Sequence, residues 1–570
     1  MKKFTFLFLA IFLALSCTLM AQTKIVVEPG VGTLNAAIAA HGGDAIYELK
    51  AGEWYQLDAV IENNGYHLQI IGQEPAVAGG IPATLQTGDD AGGAAFGNMF
   101  NALGDITLKN IYFVNADLTG VIGNGFLTSS ATNARTVVDR CIIDPVGLNY
   151  FANLTGGNSK TYFTNNQALR HGHQLNPNDG HFFITDNASG VGFDTLLVQN
   201  NTFVCMGTTM HASGFNKYTN NFSKWDHNTF VEQKSQIDWS NFEKEYYWTN
   251  NLMFDMQTQP WNTPWQPMPG ADAGYPKPCL IYADTIPEEV ASLKAGGVST
   301  TLQFVEYNMH YKNPKFYPQI DALNAQGVID GKTKIYYMPI VWPIDSAGIC
   351  RETAMFANDS KFPLWKYGNT TTDVDPNWVD ARIYTMSDNL VKWTLPATQI
   401  HAMGYPAGNF PPASEWTQWH WDPDGDVSLN STWPVFNGVY TNAAMLTGSI
   451  EGLPLGDLNW FPASKSKWTQ HKAEIDAHMA AANDSKITVW TGIKNIKADA
   501  FSIYPNPAKD VLKIKGAKSA EVIIRTIDGR RVKTVENASE VNISDLANGT
   551  YIVTIKEGKN VSTQKLLIQK

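Results

Sequence analysis

Cysteine is scarce in this chain, with 5 among 570 residues. No two cysteines stand at the CxxC spacing of metal clusters, which argues against a cysteine-held metal centre. Four follow the N-terminal segment, namely Cys141, Cys205, Cys279 and Cys350. In an exported protein Cys279 and Cys350 could form a disulfide, whereas buried free thiols are the simpler interpretation.

Positively charged residues are also few. The chain has 42 Lys and Arg but 53 Asp and Glu, which gives a net charge of −11. This balance argues against nucleic acid as a nonspecific partner. After the N-terminal segment, no stretch approaches the roughly 18 uninterrupted apolar residues of a membrane-spanning helix. The sequence therefore predicts no transmembrane segment.

Residues 1–21 have the pattern of a secretory signal peptide. A basic start precedes an apolar run from Phe4 to Leu15, and small residues lead to Ala21. Such segments are removed on export, so we predict a secreted protein. A lipid anchor at Cys17 is the alternative, although the residues before it fit the lipoprotein pattern poorly.

One phrase returns between residues 100 and 310: a short alternating strand, a polar pair dominated by Asn, and a second short apolar strand. The copies are ITLKNIYF (106–113), TVVDRCII (136–143), TYFTNNQA (161–168), LLVQNNTF (196–203), SKWDHNTF (223–230), YYWTNNLM (246–253) and QFVEYNMH (303–310). Short strands that recur with a polar corner predict a parallel β-helix, in which each coil stacks on the one before.

We take the second polar residue of each pair as the repeat mark. The marks are Asn110, Arg140, Asn166, Asn201, Asn228 and Asn251. Asn tolerates left-handed backbone angles, and its amide can bond to the equivalent amide one coil away, which predicts a ladder that Arg140 and Tyr307 interrupt. An antiparallel sandwich with Asn-rich hairpins is the alternative, but its two-residue turns would place Gly beside the Asn.

A family resemblance rests on these coils and on the entry segment. GVGTLNAAI (30–38), YELKAGEWY (47–55) and the Asn-marked coils resemble right-handed parallel β-helix proteins of the pectin-lyase type. The resemblance implies an all-β fold with a β-helix over residues 22–395. The entry segment itself predicts a helix from Thr33 to Ala40 that covers the open end of the first coil. This architecture hosts lyases, hydrolases, adhesins and spacers, so it implies no single chemistry.

Residues 396–490 are less regular and predict an extension of the β-helix. LPLGDLNWFP (453–462) resembles a tail of exported β-helix proteins from bacteria with outer-membrane glycan systems. SKWTQHKAEIDAHMAAA (466–482) predicts a helix with Ser466 as its N-cap, which would close the far end of the solenoid.

The C-terminal residues 496–570 form a distinct pattern of short alternating strands. FSIYPNPAKDVLKIKG (501–516), NISDLANGTYIVTI (542–555) and the basic end resemble the type A sorting domain of the type IX secretion route. The resemblance implies a small Ig-like β-sandwich, recognition by the type IX secretion machinery and delivery outside the cell or to the outer cell surface. An adhesive sandwich with the same strand pattern is the alternative.

Candidate chemistry gathers in the long loop LRHGHQLNPNDGH (169–181) and on the following coils. Lyases of this fold abstract a proton beside a carboxylate with an Arg or Lys, while calcium held by acidic residues neutralises the substrate. The predicted catalytic residues are Arg170, Lys224, His171 and His173. The predicted substrate-binding residues are His211, Asp226, His227, Trp261 and Trp265. A solvated polar surface, with Trp side chains that fix loops to the solenoid, explains the same residues without function.

WDPDGDVSLN (421–430) is a candidate calcium loop. Asp422, Asp424 and Asp426 have the 1, 3, 5 spacing of cation-binding loops. Gly425 stands too early and no Glu follows at position 12, so this is not an EF-hand. A plain acidic turn is the alternative.

The expected function is an exported polysaccharide-acting protein, a pectate-lyase-like enzyme on a uronate-containing glycan. A noncatalytic glycan-binding or adhesive surface protein is the alternative. Carboxylates gathered on adjacent coils would favour the enzyme, and the coil sequences look rich in Asn but poor in Asp and Glu.

Overall fold

The computed structural model describes most of residues 23–256, short stretches between 281 and 372, residues 374–389 and 433–482, and most of residues 501–570. Several predictions fall outside the described residues: the signal peptide, His173, Trp261, Trp265, Cys279 and the calcium candidates Asp422, Asp424 and Asp426. The chain divides into two compact units, Met1–Thr488 and Val489–Lys570.

Three parallel sheets, A, B and C, build the first unit, and most coils contribute one strand to each sheet in turn. The strands of sheet A are Thr23–Val27, Ala45–Leu49, Leu68–Gly72, Ile106–Lys109, Arg135–Asp139, Lys160–Thr164, Thr195–Gln199, Asn220–Asp226, Glu243–Thr249, Leu302–Glu306 and Trp365–Gly368. The strands of sheet B are Gly30–Val31, Trp54–Gln56, Ala83–Gln86, Ile111–Val114, Ile142–Ile143, Gln167–Leu169, Thr202–Met206, Thr229–Gln233, Leu252–Met256, Met309–Tyr311 and Thr371–Thr372. The strands of sheet C are Ile61–Glu62, Phe100–Ala102, Gly125–Ser129, Tyr150–Leu154, His181–Ile184, His211–Ala212, Asp238–Trp239, Ile281–Tyr282 and Ile349–Cys350. The predicted parallel β-helix is confirmed.

Apolar side chains fill the interior because alternate residues of each strand point inward. Equivalent residues of neighbouring coils meet there, as Phe203 and Phe230 do with ring centroids 4.9 Å apart and planes 12° from parallel. Phe151 and Phe182 stack in the same way, at 4.7 Å. Cys141 and Cys205 are buried.

The predicted entry helix is present as Thr33–His41, followed by a 3-10 turn at Gly42–Asp44. Its buried residues Leu34 and Ile38 join the interior core. The helix therefore covers apolar surface at the first coil.

The two residues of the polar pair at the corner between sheets A and B have different structural roles. The first member takes a positive φ, as at Asn165 (61°), Asn200 (53°) and Asn250 (59°). The side-chain oxygen of the second member accepts a hydrogen bond from the backbone N–H of its counterpart one coil earlier. This buried ladder runs through Asn166, Asn201, Asn228, Asn251 and Asn308.

The predicted ladder is therefore confirmed, but its register needs a correction. Arg140 (φ 56°) and Tyr307 (φ 57°) occupy the first position of the pair, so they do not interrupt the ladder. Asn308 continues it. Cys141 stands at the ladder position of its coil and donates its backbone N–H to Asn166 Oδ1 at 2.8 Å.

The segment after the last coil packs back onto the solenoid. It contains helices Arg382–Asn389 and Pro462–Ala482 and 3-10 turns Met445–Thr447 and Leu458–Trp460. Its apolar residues, Trp378, Phe436 and Tyr440 among them, share a cluster with the outward residues Val204 and Val231 of sheet B.

Two predictions about the long helix are wrong. The helix begins at Pro462, so Ser466 lies inside it and is not the N-cap. Lys465 and Lys472 donate to Asn165 at 2.6 Å and Gln199 at 3.1 Å, so the helix lies along the flank of middle coils and does not close the far end. The sequence predicted the helix but not which surface it covers.

The second unit consists of two antiparallel sheets. One contains Ser502–Tyr504, Val511–Lys515 and Glu540–Asn542, and the other contains Ala520–Thr526, Arg531–Ala538, Gly549–Glu557 and Asn560–Ile568. Buried residues of both sheets, such as Leu512 and Val553, form one core. The predicted small β-sandwich is confirmed.

None of the helices in the described ranges combines the length and apolar composition that a membrane crossing requires.

Candidate functional site

Ionisable side chains line up at one position of five successive coils, near the C-terminal ends of the strands of sheet B. The residues before them pair across the sheet in one row, Leu169, Val204, Val231, Phe254 and Tyr311. The next residue of each coil is, in order, Arg170, Cys205, Glu232, Asp255 and Lys312. We call these five residues the charged column, and each is at most 3% exposed.

The backbone of the charged column is held in an unfavourable conformation. Arg170, Cys205, Glu232 and Asp255 have φ of 56°, 56°, 62° and 55°. Side chains other than Gly, Asn and Asp rarely take these angles, at a cost of roughly 1 kcal/mol or more each. Strain that recurs at chemically active residues is typical of functional sites.

Arg170 forms a buried ion pair at one end of the column. Its Nε lies 2.5 Å from Asp144 Oδ1, and both side chains are fully buried. The neighbouring His171 is also buried, and its Nδ1 lies 2.9 Å from the Gly147 carbonyl oxygen. Arg170 and His171 therefore stand together, as their adjacency predicts.

Lys312 occupies the other end of the column. Burial lowers its pKa to about 8, and the charge of Asp255 opposes that shift only in part. Its Nζ donates to the Met256 carbonyl oxygen at 3.2 Å. Asp255 Oδ1 accepts the backbone N–H of Asn313 at 2.6 Å. This lysine can release its proton near neutral pH.

Cys205 and Glu232 are neighbours in the middle of the column. Cys205 Sγ donates to Glu232 Oε2 at 3.0 Å. Glu232 and Asp255 stand at the same position of adjacent coils, because the residues on either side of Glu232 pair with those on either side of Asp255. Two carboxylates thus follow one another along the column.

The structure separates Lys224 from Arg170. Lys224 lies on sheet A, paired with Leu197 and Tyr247, and its Nζ is 3.9 Å from Asp226. Arg170 follows sheet B. The two predicted catalytic bases therefore stand on different faces of the solenoid and do not form one site.

His211, Asp226 and His227 are all buried. His211 pairs with the core residue Phe183 and so faces the interior, where its Nδ1 lies 3.3 Å from Glu243 Oε1. Asp226 and His227 lie at the corner of sheets A and B beneath Glu451. These three residues were predicted to bind substrate, but in the structure other residues cover them.

The charged column left a signal in the sequence. Each of its members stands four residues after the ladder position of its coil, as Arg170 follows Asn166 and Lys312 follows Asn308. Taking one offset in all copies would have found Glu232, which sequence reasoning missed along with Asp144, Asp255 and Lys312.

The outward face of sheet A carries partly exposed apolar and aromatic residues. Tyr162 and Leu197 pair across adjacent coils, and Phe222 lies 5.8 Å from the Tyr247 ring. The Arg135 guanidinium lies 5.5 Å from the centroid of the Tyr162 ring. Such a face can stack against sugar rings.

Comparison with known families identifies the C-terminal unit. Residues 502–569 match the family described as the secretion system C-terminal sorting domain. The predicted type IX sorting domain is confirmed, and the protein is secreted by that route to the outer cell surface.

Curated proteins give no match to this sequence. Among solved structures, a PL6 family alginate lyase, AlyGC, is similar with 12% identity and a TM-score of 0.31. The similarity covers 62% of this chain and 40% of that structure, so the chain spans about two fifths of the length of its match.

Proposed function

We propose that this protein is a surface-attached polysaccharide lyase that acts on a uronate-containing glycan through the charged column. The observation that carries the proposal is the succession of basic and acidic groups on adjacent coils. The sequence seemed poor in coil carboxylates, but Asp144, Glu232 and Asp255 supply them. Strained φ angles at Arg170, Cys205 and Glu232 support the same assignment.

Lys312 is the general base in this proposal. An Arg guanidinium keeps its proton at any physiological pH, and Arg170 is in addition neutralised by Asp144. The Lys312 amine, with its pKa lowered to about 8, can take the proton from the carbon beside the substrate carboxylate. The electron pair left on that carbon forms a double bond as the neighbouring glycosidic C–O bond breaks, and the leaving oxygen gains a proton.

Arg170 lies too far from Lys312 to act on the same bond. Four coil spacings of about 4.8 Å separate them, or roughly 19 Å. Arg170 therefore serves a different sugar of the same chain, which would lie along the column and parallel to the solenoid axis.

Glu232 and Asp255 would hold a calcium ion if the enzyme uses one. Both are buried carboxylates at the same position of adjacent coils, and calcium prefers such oxygen ligands. The bound ion would supply positive charge against the carboxylate of the substrate.

Because the column is buried, a polymer can reach it only after a covering segment moves aside. Hydrogen exchange of the intact protein with and without oligosaccharide tests this step. We expect faster exchange at residues 202–206 and 229–233 when the glycan enters, and unchanged exchange there would contradict the proposed path.

The activity itself is tested by ultraviolet absorbance of unsaturated product from pectin, alginate and glycosaminoglycans, with and without calcium. We expect product from one polymer, and its loss in Lys312→Ala. Lys244→Ala is the matched control, since Lys244 is an exposed lysine that donates to Asn221.

Glycan binding without cleavage is the second candidate. The partly exposed face of Tyr162 and Leu197, with Arg135 over the Tyr162 ring, favours it. Binding that depends on Tyr162, with no unsaturated product from any polymer, would replace the lyase proposal with this one.

A further inference from the structure

A second cluster of metal-ligating groups lies outside the charged column, at the corner of sheets A and B. One ligand atom each from Asp226, His227 and Glu451 can be chosen so that all lie within 4.8 Å of one another. The three side chains are at most 2% exposed. Glu451 comes from the segment that packs back onto the solenoid, more than two hundred residues after the other two.

The imidazole of His227 is oriented as metal-bound histidines are. Its Nδ1 lies 3.1 Å from the Gly456 carbonyl oxygen, which can only accept, so Nδ1 carries the proton. Nε2 then directs its lone pair at Glu451 Oε1. A carbonyl partner on one ring nitrogen and a metal on the other is the usual arrangement.

The distance between His227 Nε2 and Glu451 Oε1 is 3.4 Å. A charge-assisted hydrogen bond between imidazolium and carboxylate is shorter, about 2.7–2.9 Å. Two ligands of one tetrahedral zinc ion, each bonded at about 2.0–2.1 Å, stand about 3.4 Å apart. The spacing therefore suits a shared ion better than a shared proton.

An unpartnered oxygen points to the same site. Glu451 Oε2 is buried and has no hydrogen-bond partner among the described residues. A buried carboxylate oxygen without a partner is costly, and a cation would satisfy it.

Neighbouring residues hold Asp226 in place. Its Oδ1 accepts from Thr249 Oγ1 and Asn250 Nδ2, both at 2.9 Å, and its Oδ2 accepts from Gln199 Nε2 at 3.1 Å. Lys224 Nζ stands 3.9 Å from Oδ2 and offsets part of the negative charge.

We propose that Asp226, His227 and Glu451 bind one divalent cation of the zinc class, which fastens the returning segment to the corner of the solenoid. One nitrogen and two oxygen ligands, with a fourth position for water, match zinc. The site is structural, because it is buried and joins two distant parts of the chain.

The test uses the full-length protein, dialysed against a chelator and then titrated with Zn²⁺. We expect one Zn²⁺ bound per chain by calorimetry and elemental analysis, and a thermal midpoint that rises with Zn²⁺. Glu451→Gln and His227→Gln should lose this binding and the rise. His67→Gln is the matched control, a part-buried histidine that contacts Thr107 on another coil.

Wild-type protein that shows neither stoichiometric Zn²⁺ binding nor a zinc-dependent midpoint would overturn the proposal, and this readout does not depend on the variants folding. Zn²⁺ retained at full stoichiometry by folded Glu451→Gln and His227→Gln would overturn it too, because the ion would then lie elsewhere.

Discussion

The side-chain oxygen of Asn228 accepts both the backbone N–H and the side-chain amide of Asn201, at 3.1 and 2.9 Å. The amide nitrogen of Asn228 donates to the Val198 carbonyl oxygen at 3.0 Å. One buried residue thus satisfies three polar groups of the preceding coil.

Replacing that residue should destabilise the first unit. Asn228→Ala leaves buried groups of Asn201 and Val198 without partners, and we expect a loss of about 3 kcal/mol or more in the free energy of unfolding. Urea unfolding measures it. Asn101→Ala, in a half-buried amide of sheet C, should cost less than 1 kcal/mol, and equal losses would contradict the ladder's role.

Gly456 should be essential for docking the returning segment. Its φ is +76°, and a Cβ there would lie 2.4 Å from Thr229 Oγ1. We expect Gly456→Ala to release the segment and expose it to limited proteolysis. Gly452→Ala is the matched control, because Gly452 has φ of +72° but open space around it. Equal cleavage of the two variants would mean that backbone strain, not the steric clash, decides the outcome.

Asp457 should make stability fall as pH rises. Burial raises its pKa to about 6 from 3.8, so the folded state keeps a proton that the unfolded state releases. Below pH 4 both states are protonated, and between about 4 and 6 each step up in pH costs stability, to a total of about 3 kcal/mol. Unfolding of wild type and Asp457→Asn across this range should differ in slope. Parallel curves would show that Asp457 does not carry the effect.

Lys312 should set the pH dependence of any lyase activity. The reactive form is the free amine, so kcat/KM should rise with pH and level off above about 8. Lys312→Arg keeps the charge but not the base, and should lower kcat by about 10²–10⁴-fold. Lys244→Arg should leave the profile unchanged. A wild-type rate independent of pH between 6 and 9 would exclude Lys312 as the base.

The sequence predicted the solenoid because residues at equivalent positions of successive repeats contact one another on neighbouring coils. The backbone N–H of Asn166 donates a hydrogen bond to Asn201, the equivalent residue of the next coil, so a recurring Asn in the sequence already implies the contact. The same holds for the stacked Phe203 and Phe230. The left-handed first residue and the bonding second residue could not be told apart from the three copies in which both are Asn, at 165–166, 200–201 and 250–251.

The candidate sites were harder to predict. Arg170 and Lys224 are both basic residues near the His-rich loop, but Arg170 follows a strand of sheet B and Lys224 lies within a strand of sheet A, on a different face. Lys312 was not predicted as a site residue because it lies far along the chain from the other members of the charged column.

From the amino-acid order alone came the β-helix, the entry helix and the C-terminal sorting domain, because each depends on contacts between residues that repeat or lie close in the chain. Only the folded molecule showed that Glu451 meets His227 and that Gly456 donates its N–H to the Asn250 carbonyl oxygen at 2.8 Å. Those partners belong to no repeat. Their meeting depends on the shape and hydrogen-bonding groups of a corner that exists only after the coils have stacked.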